Sequence, residues 1–274
     1  MLSALMKYER KATARVMVPI LLAVVILAAV LRLLSVWSGM IEHSQLLSVD
    51  PVYLLLRLVT IVFFLAMIAA PIAALVLMIV RFKTNLLSDE GYVMFTLPVS
   101  AHQLVWSKLL TSVLWFIAAA AVDALGVLVI AGDQNLLNDL VRGAQDLFRD
   151  MTAYYAANGI LMLVEIVVLI VIFCLVTCLR FYCPMAIGHS FARHKVLLSV
   201  VFYFIIWAVT QAAMVAFATL GLPFMDDLST MLMGLPTAVT FHGGLLLGIL
   251  VVAVYGIILY AITVRMLHRH LNLD

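Results

Sequence analysis

The sequence predicts an all-α integral membrane protein with six transmembrane helices and both termini in the cytosol. Of its 274 residues 66% are hydrophobic and 11% charged, whereas soluble domains have a roughly even apolar share and about a quarter of charged residues. Apolar stretches of about 20 residues, enough to cross a bilayer, take up nearly the whole chain. We therefore expect a single transmembrane domain over residues 1–274 and no soluble catalytic domain.

The positions of the basic residues set the orientation. Cytosolic segments of membrane proteins carry an excess of Lys and Arg. With the N-terminus inside, twelve of the sixteen Lys and Arg fall in cytosolic segments. The formal net charge of +2 is too small to indicate nucleic acid as a partner. The spans are predicted at about Val16–Trp37, Pro51–Val80, Leu104–Ala131, Tyr154–Arg180, Val196–Leu220 and Gly243–Val264.

The N-terminal residues 1–15 form a candidate amphipathic helix. Apolar residues from Leu2 to Val16 fall near one helical face, and a basic side lies opposite them. Such a helix lies along an anionic membrane surface. The alternative is a basic flank that only orients the first span.

The second span is longer than a bilayer requires. From Pro51 to Val80 it would measure about 45 Å, against a hydrocarbon core of about 30 Å. It must therefore tilt, kink at Pro71 or protrude. Protrusion would carry Arg81 away from the membrane.

Two outer segments are not expected to span. Residues 132–153 place apolar residues at helical spacing with charges between them, so we predict an outer amphipathic helix that lies in the interface or covers a transport pathway. Residues 221–242 are too broken by Pro223 and Pro236 to span and too apolar for a solvated loop. They are predicted to form a re-entrant or lid-like turn.

Catalytic and metal-binding motifs are not found. The chain has no G-x-x-x-x-G-K-[ST] loop and no H-E-x-x-H pair, so neither a P-loop nor a zinc protease site is expected. The sequence G-H-S-F-A from Gly188 only half matches the nucleophile elbow. We expect no enzyme active site, no metal and no cofactor bound by this chain.

Apart from basic residues at the cytosolic ends, four charged residues fall within spans, namely Arg32, Arg57, Asp123 and Glu165. Charge at membrane depth usually faces the bundle interior or water. Both arginines lie close enough to the outer interface to snorkel, whereas Glu165 is counted near the middle of its span. We expect Glu165, and secondarily Asp123, to pair with a basic group or contact cargo. A structural hydrogen bond between helices is the alternative.

The connection from Arg81 to Lys108 carries its own helix signals. Ser88 is a candidate N-cap for a short helix with Asp89 and Glu90 in its first turn, and Pro98 ends that helix. Ser100 and Gln103 then have the spacing of a capping box. The short helix is expected to present an apolar patch to a partner or to rest against the bilayer.

These residues resemble a family motif. Asp89-Glu90-Gly91-Tyr92, followed by Phe95-Thr96-Leu97-Pro98-Val99-Ser100 and Lys108, is similar to the E-G-x(n)-L-P-[VI]-S…K signature in the first cytosolic loop of type-two ABC exporter permeases. Six spans with both ends inside extend the resemblance over the whole chain.

The resemblance implies a permease subunit in the bacterial cell membrane. Residues 81–103 would form a coupling loop on a separate ABC ATPase subunit, which would bind the ATP and Mg²⁺. The implied contact residues are Asp89, Glu90, Gly91, Tyr92, Phe95, Leu97, Pro98 and Ser100. A second permease subunit, identical or different, and membrane lipid are the other implied partners. The alternatives are an ion-coupled secondary transporter using Glu165 and Asp123, and a membrane sensor without transport.

Overall fold

The computed structural model describes residues 2–44, 50–88, 90–96, 98–132, 134–155, 158–191, 193–232 and 236–269. Within these ranges the secondary structure is helical, with no strand. The helices are α1 (Leu2–Ser44), α2 (Asp50–Leu86), α3 (Glu90–Thr96), α4 (Ala101–Ile130), α5 (Gln134–Tyr155), α6 (Gly159–Gly188), α7 (Lys195–Leu232) and α8 (Thr237–Arg269).

Six of these helices are long and apolar enough to cross a membrane, namely α1, α2, α4, α6, α7 and α8. The prediction of an all-α membrane protein with six spans is confirmed. Pro19, Pro71 and Pro184 lie inside α1, α2 and α6 without ending them. Helices in membranes tolerate proline because neighbouring groups satisfy the backbone carbonyl that it leaves unpaired.

The chain divides into two compact units. The α1 unit comprises Ser3–Met78 and Leu110–Gln145. Its buried cluster is built from α1, α2 and α4, and the α1 members are Met17, Leu21, Val24, Ala28 and Leu31. These recur every three or four residues, so they form one stripe along the helix.

The α6–α8 unit comprises Met1–Leu2, Ile79–Leu109 and Asp146–Asp274. Helix α6 packs against both α7 and α8, and its buried face includes Tyr182 and Cys183. The end of α2, all of α3 and the start of α4 belong to the same unit. The predicted coupling loop is therefore part of a packed structure.

The N-terminal segment differs from its prediction. Residues 2–15 are not a separate helix, because α1 runs without a break from Leu2 to Ser44. Its protein-facing side near the start carries Glu9, Thr13 and Met17, while Val16 is exposed. Backbone hydrogen bonding continues from the polar part directly into the span, since no helix-ending residue separates them.

Helix α2 extends beyond its predicted end. It continues six residues past Val80, through Arg81, to Leu86. Its 37 residues correspond to about 55 Å. The tilt, kink at Pro71 or protrusion expected for this overlong span stays a prediction.

The later spans begin or end elsewhere than predicted. Helix α6 begins at Gly159 rather than Tyr154, because the Asn158 side chain accepts hydrogen bonds from the N–H groups of Ile160 and Leu161. The segment 221–242, predicted to be a re-entrant or lid-like turn, is helical over most of its length. Helix α7 continues to Leu232, and α8 begins at Thr237.

The predicted outer helix is present as α5. It covers Gln134–Tyr155, close to the predicted residues 132–153. Every residue from 138 to 150 is exposed. Arg149 Nη2 lies 3.3 Å from Asp146 Oδ1, one turn earlier in the helix. Its role over a pathway stays a prediction.

Candidate functional site

Helix α3 occupies the connection between α2 and α4. It begins at Glu90, as expected for an acidic first turn, and ends at Thr96, two residues before Pro98. The Ser88 side chain does not cap α3 as predicted. The Ser88 hydroxyl donates to the Thr84 carbonyl of α2, and the Gly91 N–H instead bonds to the Ser88 carbonyl oxygen at 2.7 Å.

The capping box at the start of α4 is confirmed in both directions. The Ser100 N–H donates to Gln103 Oε1 at 3.2 Å, and the Gln103 N–H donates to Ser100 Oγ at 3.3 Å. These bonds satisfy two N–H groups that an uncapped helix start would leave unpaired. The direction in which α4 leaves the connection is therefore fixed by its own sequence.

The two sides of α3 differ in exposure. Gly91 is buried, whereas Glu90, Tyr92 and Val93 are exposed, with Val93 at 66%. Pro98 and Ser100 are exposed as well. The predictions for Asp89 and Leu97, and for the Phe95 side chain, lie outside the described residues. The described part of α3 thus presents an acid and two apolar side chains on its accessible side.

The ends of α2 and α4 beside α3 are tied together. Lys108 of α4 is buried, and its Nζ donates to the Arg81 carbonyl of α2 at 3.4 Å. A buried ammonium group is costly unless it finds hydrogen-bond acceptors. Lys108, predicted only through the family motif, therefore acts as a link between the two helices that bracket α3.

The same helix ends contact α6 and α8. Phe82 of α2 stacks on Tyr182 of α6, with ring centroids 4.0 Å apart and an interplanar angle of 8°. His102 Nδ1 of α4 lies 2.7 Å from the Tyr260 hydroxyl of α8. The connection that carries α3 is consequently braced on two further spans of the α6–α8 unit.

Glu165 forms a buried pair that joins α6 to α8. Its side chain is 4% exposed, and His242 Nδ1 donates to Glu165 Oε2 at 2.8 Å. This hydrogen bond between α6 and α8 fits both the predicted pairing with a basic group and the structural alternative, and contact with cargo stays a prediction. Glu165 Oε1 and His242 Nε2 are buried without a hydrogen-bond partner among the described residues. Buried polar atoms of this kind call for a functional explanation.

The other intramembrane ionisable residues lie in the α1 unit. Arg32 Nη2 donates to the Gly132 carbonyl at 2.9 Å, so this arginine binds the segment after α4. Arg57 is exposed. Asp123 is partly exposed, but its Oδ1 is buried without a partner in the described ranges. Asp123 belongs to the α1 unit and Glu165 to the α6–α8 unit.

Two polar residues were missed by sequence reasoning. His242 was assigned to the broken outer segment rather than to the last span. Thr13 was placed within the surface helix, although its hydroxyl is buried and accepts a hydrogen bond from Trp115 Nε1 at 2.8 Å. A histidine directly before an apolar run was the available signal for His242, whereas Thr13 stands in a basic segment and gave no such signal.

The fold defines a class of protein, an all-α multi-pass membrane protein. No protein-family model, no curated protein and no solved structure matches the chain. The resemblance to exporter permeases therefore rests on the motif around α3 and on the number of spans.

Proposed function

We propose that this chain is the transmembrane subunit of an ATP-driven ABC exporter, in which it pairs with a second permease subunit and with two ATPase subunits in the cytosol. The observation that carries the proposal is α3, a short helix with exposed Glu90, Tyr92 and Val93 between two long spans. Contiguous exposed apolar patches mark surfaces that bind a protein or a membrane, and Tyr92 and Val93 are neighbours on α3.

The surroundings of α3 suit a coupling element. Force applied to α3 reaches α2 through the Gly91 N–H bond to the Ser88 carbonyl and the Ser88 hydroxyl bond to the Thr84 carbonyl. The Ser100–Gln103 capping box fixes the start of α4 on the other side of α3. The Lys108 link to Arg81 makes the two spans move together. In this proposal, ATP binding draws the ATPase subunits together, and the spans tilt as a result.

The coupling surface is tested with Val93→Asp and Glu90→Lys. The permease is purified from its native membrane, and any copurifying ATPase is identified and assayed with and without the permease. Truncation or charge reversal at the centre of an interface costs about 2 kcal/mol or more, which is about a 30-fold loss of affinity. We expect both variants to lose the ATPase and its stimulation.

A matched control is Leu147→Asp on α5. Leu147 and Val93 are each 66% exposed, so the two substitutions introduce the same charge at the same exposure. In the proposed topology Leu147 lies outside, beyond reach of a cytosolic ATPase. Equal ATPase binding by all three variants, or equal loss in all three, would contradict the proposal.

A second candidate function is ion-coupled secondary transport. The observation that favours it is the buried Glu165–His242 pair, in which two atoms have no hydrogen-bond partner in the part of the chain that the structure describes. Such a pair can take up a proton or bind a hydrogen-bonding cargo group. Proteoliposomes without ATPase, driven by a proton or sodium gradient, would transport in this case, and Glu165→Gln would abolish uptake. A gradient without effect, together with ATP-dependent transport, favours the exporter.

A further inference from the structure

A groove of about 280 Å³ lies between the end of α6 and the first turns of α7. This volume is slightly below about 300 Å³, the lower end of the range for pockets that hold drug-sized ligands. It therefore suits a segment of an extended molecule. The lining residues all belong to the α6–α8 unit and are Lys83, Phe181, Pro184, Met185, His189, Val196, Ser199, Val200 and Tyr203.

One end of the groove is basic. Lys83, near the end of α2, is exposed and lies at the groove. Lys195 is the first residue of α7 and precedes the lining residue Val196. Burial lowers the pKa of the His189 imidazole, and the nearby ammonium groups of Lys83 and Lys195 lower it further. None of the lining residues is acidic, so this end attracts an anion.

The remainder of the groove is apolar and faces outward. Val196 is 56% exposed and Val200 is also exposed. The rings of Phe181 and Tyr203 stack with centroids 5.2 Å apart. Because α6 and α7 are membrane-spanning helices, exposed apolar side chains on them lie against acyl chains rather than water. The groove thus passes from two cations at the helix ends to an apolar wall within the membrane.

We propose that this groove binds one anionic phospholipid. Its phosphate pairs with Lys83 and Lys195, and one acyl chain lies against Phe181, Val200 and Tyr203. Basic pockets between transmembrane helices recognise anionic headgroups in this way. The inference depends only on the membrane location of the chain, so it stands whether or not α3 binds an ATPase.

The proposal is tested by native mass spectrometry of the purified full chain. Phosphatidylglycerol and phosphatidylcholine with the same acyl chains are added separately, and the bound fractions are compared. Each lysine near a phosphate contributes about fivefold to affinity. We expect phosphatidylglycerol to bind about 25-fold more tightly, and Lys83→Gln and Lys195→Gln each to reduce its affinity about fivefold. Lys83→Arg keeps the charge and should keep the binding.

Two controls separate this site from general attraction. Arg142→Gln with Arg149→Gln removes two exposed cations from α5 and should leave phosphatidylglycerol binding unchanged. Val200→Trp fills the apolar wall and should weaken both lipids. The proposal is overturned if the lysine variants bind phosphatidylglycerol as the wild type does, or if inorganic phosphate alone binds as tightly. It is also overturned if Val200→Trp dissociates a protein dimer while lipid binding is unchanged.

Discussion

The addition of one methyl group at Gly188, in Gly188→Ala, is expected to lower the stability of the protein strongly. Gly188 is the last residue of α6, directly against α7. A Cβ atom added there would collide with Ser199 Oγ and would lie 2.5 Å from Ser199 N and 2.7 Å from Ser199 Cα. Two of these atoms belong to the backbone, so Gly188→Ala must displace α7 rather than rotate a side chain.

The cost can be worked out from these contacts. Overpacking a close-packed interior costs about 1 to 3 kcal/mol, and displacement of backbone places Gly188→Ala at the upper end. The shift also disturbs the hydrogen bond from Ser199 Oγ to the Lys195 carbonyl, which is 2.9 Å long. Alanine gains about 1 kcal/mol over glycine in helix propensity. The net loss in free energy of unfolding is therefore about 2 kcal/mol.

Two other glycines provide matched controls in α8. Gly248→Ala places its Cβ where nothing lies within 4 Å, and Gly256→Ala meets Val176 Cγ2 at 2.8 Å. Gly248→Ala should raise the free energy of unfolding by up to about 1 kcal/mol. Gly256→Ala should have a stability between those of Gly248→Ala and Gly188→Ala, because a valine side chain can move. Thermal unfolding in one detergent, followed by circular dichroism, should rank the midpoints as Gly248→Ala, Gly256→Ala, Gly188→Ala. Equal midpoints for Gly188→Ala and Gly248→Ala would refute the reasoning.

Three further predictions concern single contacts. Trp115→Phe removes the buried hydrogen bond to Thr13 and leaves a small cavity, so it should cost about 2 kcal/mol in thermal unfolding, whereas Phe in place of the exposed Trp207 should cost little. Ser100→Ala breaks one half of the capping box and should lower stability by about 1 kcal/mol, with Ser100→Thr close to wild type. Burial, with Lys83 and Lys195, lowers the pKa of His189 below its ordinary 6.5; the unfolded chain therefore binds the proton first, and stability should fall as the pH drops below about 6.5 through the lowered pKa. His189→Gln should remove this part of the pH dependence.

Hydropathy and local capping were the reliable guides to this fold. Six apolar runs were enough to predict the six spans, because the length of a transmembrane helix is set by the bilayer. The Ser100–Gln103 box could be read from spacing, since both of its hydrogen bonds form within four residues. Neither the span length nor this capping box depends on tertiary contacts, so both could be predicted from the sequence.

The boundaries of the helices were predicted less well than their number. Nothing in composition distinguishes the N-terminal basic segment from a separate surface helix, yet α1 is continuous. The start of α6 depends on one capping side chain, Asn158. The Ser88 hydroxyl donates to the Thr84 carbonyl of α2 instead of capping α3.

The Glu165–His242 pair shows how such a boundary error can hide a site. Glu165 is the seventh residue of α6 and His242 the sixth of α8, so they lie about 9 Å and 7.5 Å from the starts of their helices. Glu165 is therefore nearer the end of its span than the middle position predicted for it. In a six-span chain the fourth and sixth spans run in the same direction, so two residues at similar distances from their starts lie at similar depth. With the last span predicted to begin at Gly243, His242 fell outside the membrane and Glu165 had no basic residue at its depth. Beginning that span at Thr237 would have made His242 the natural partner. Polar residues near a predicted span end are therefore best compared at equal depth across parallel spans before they are assigned to loops.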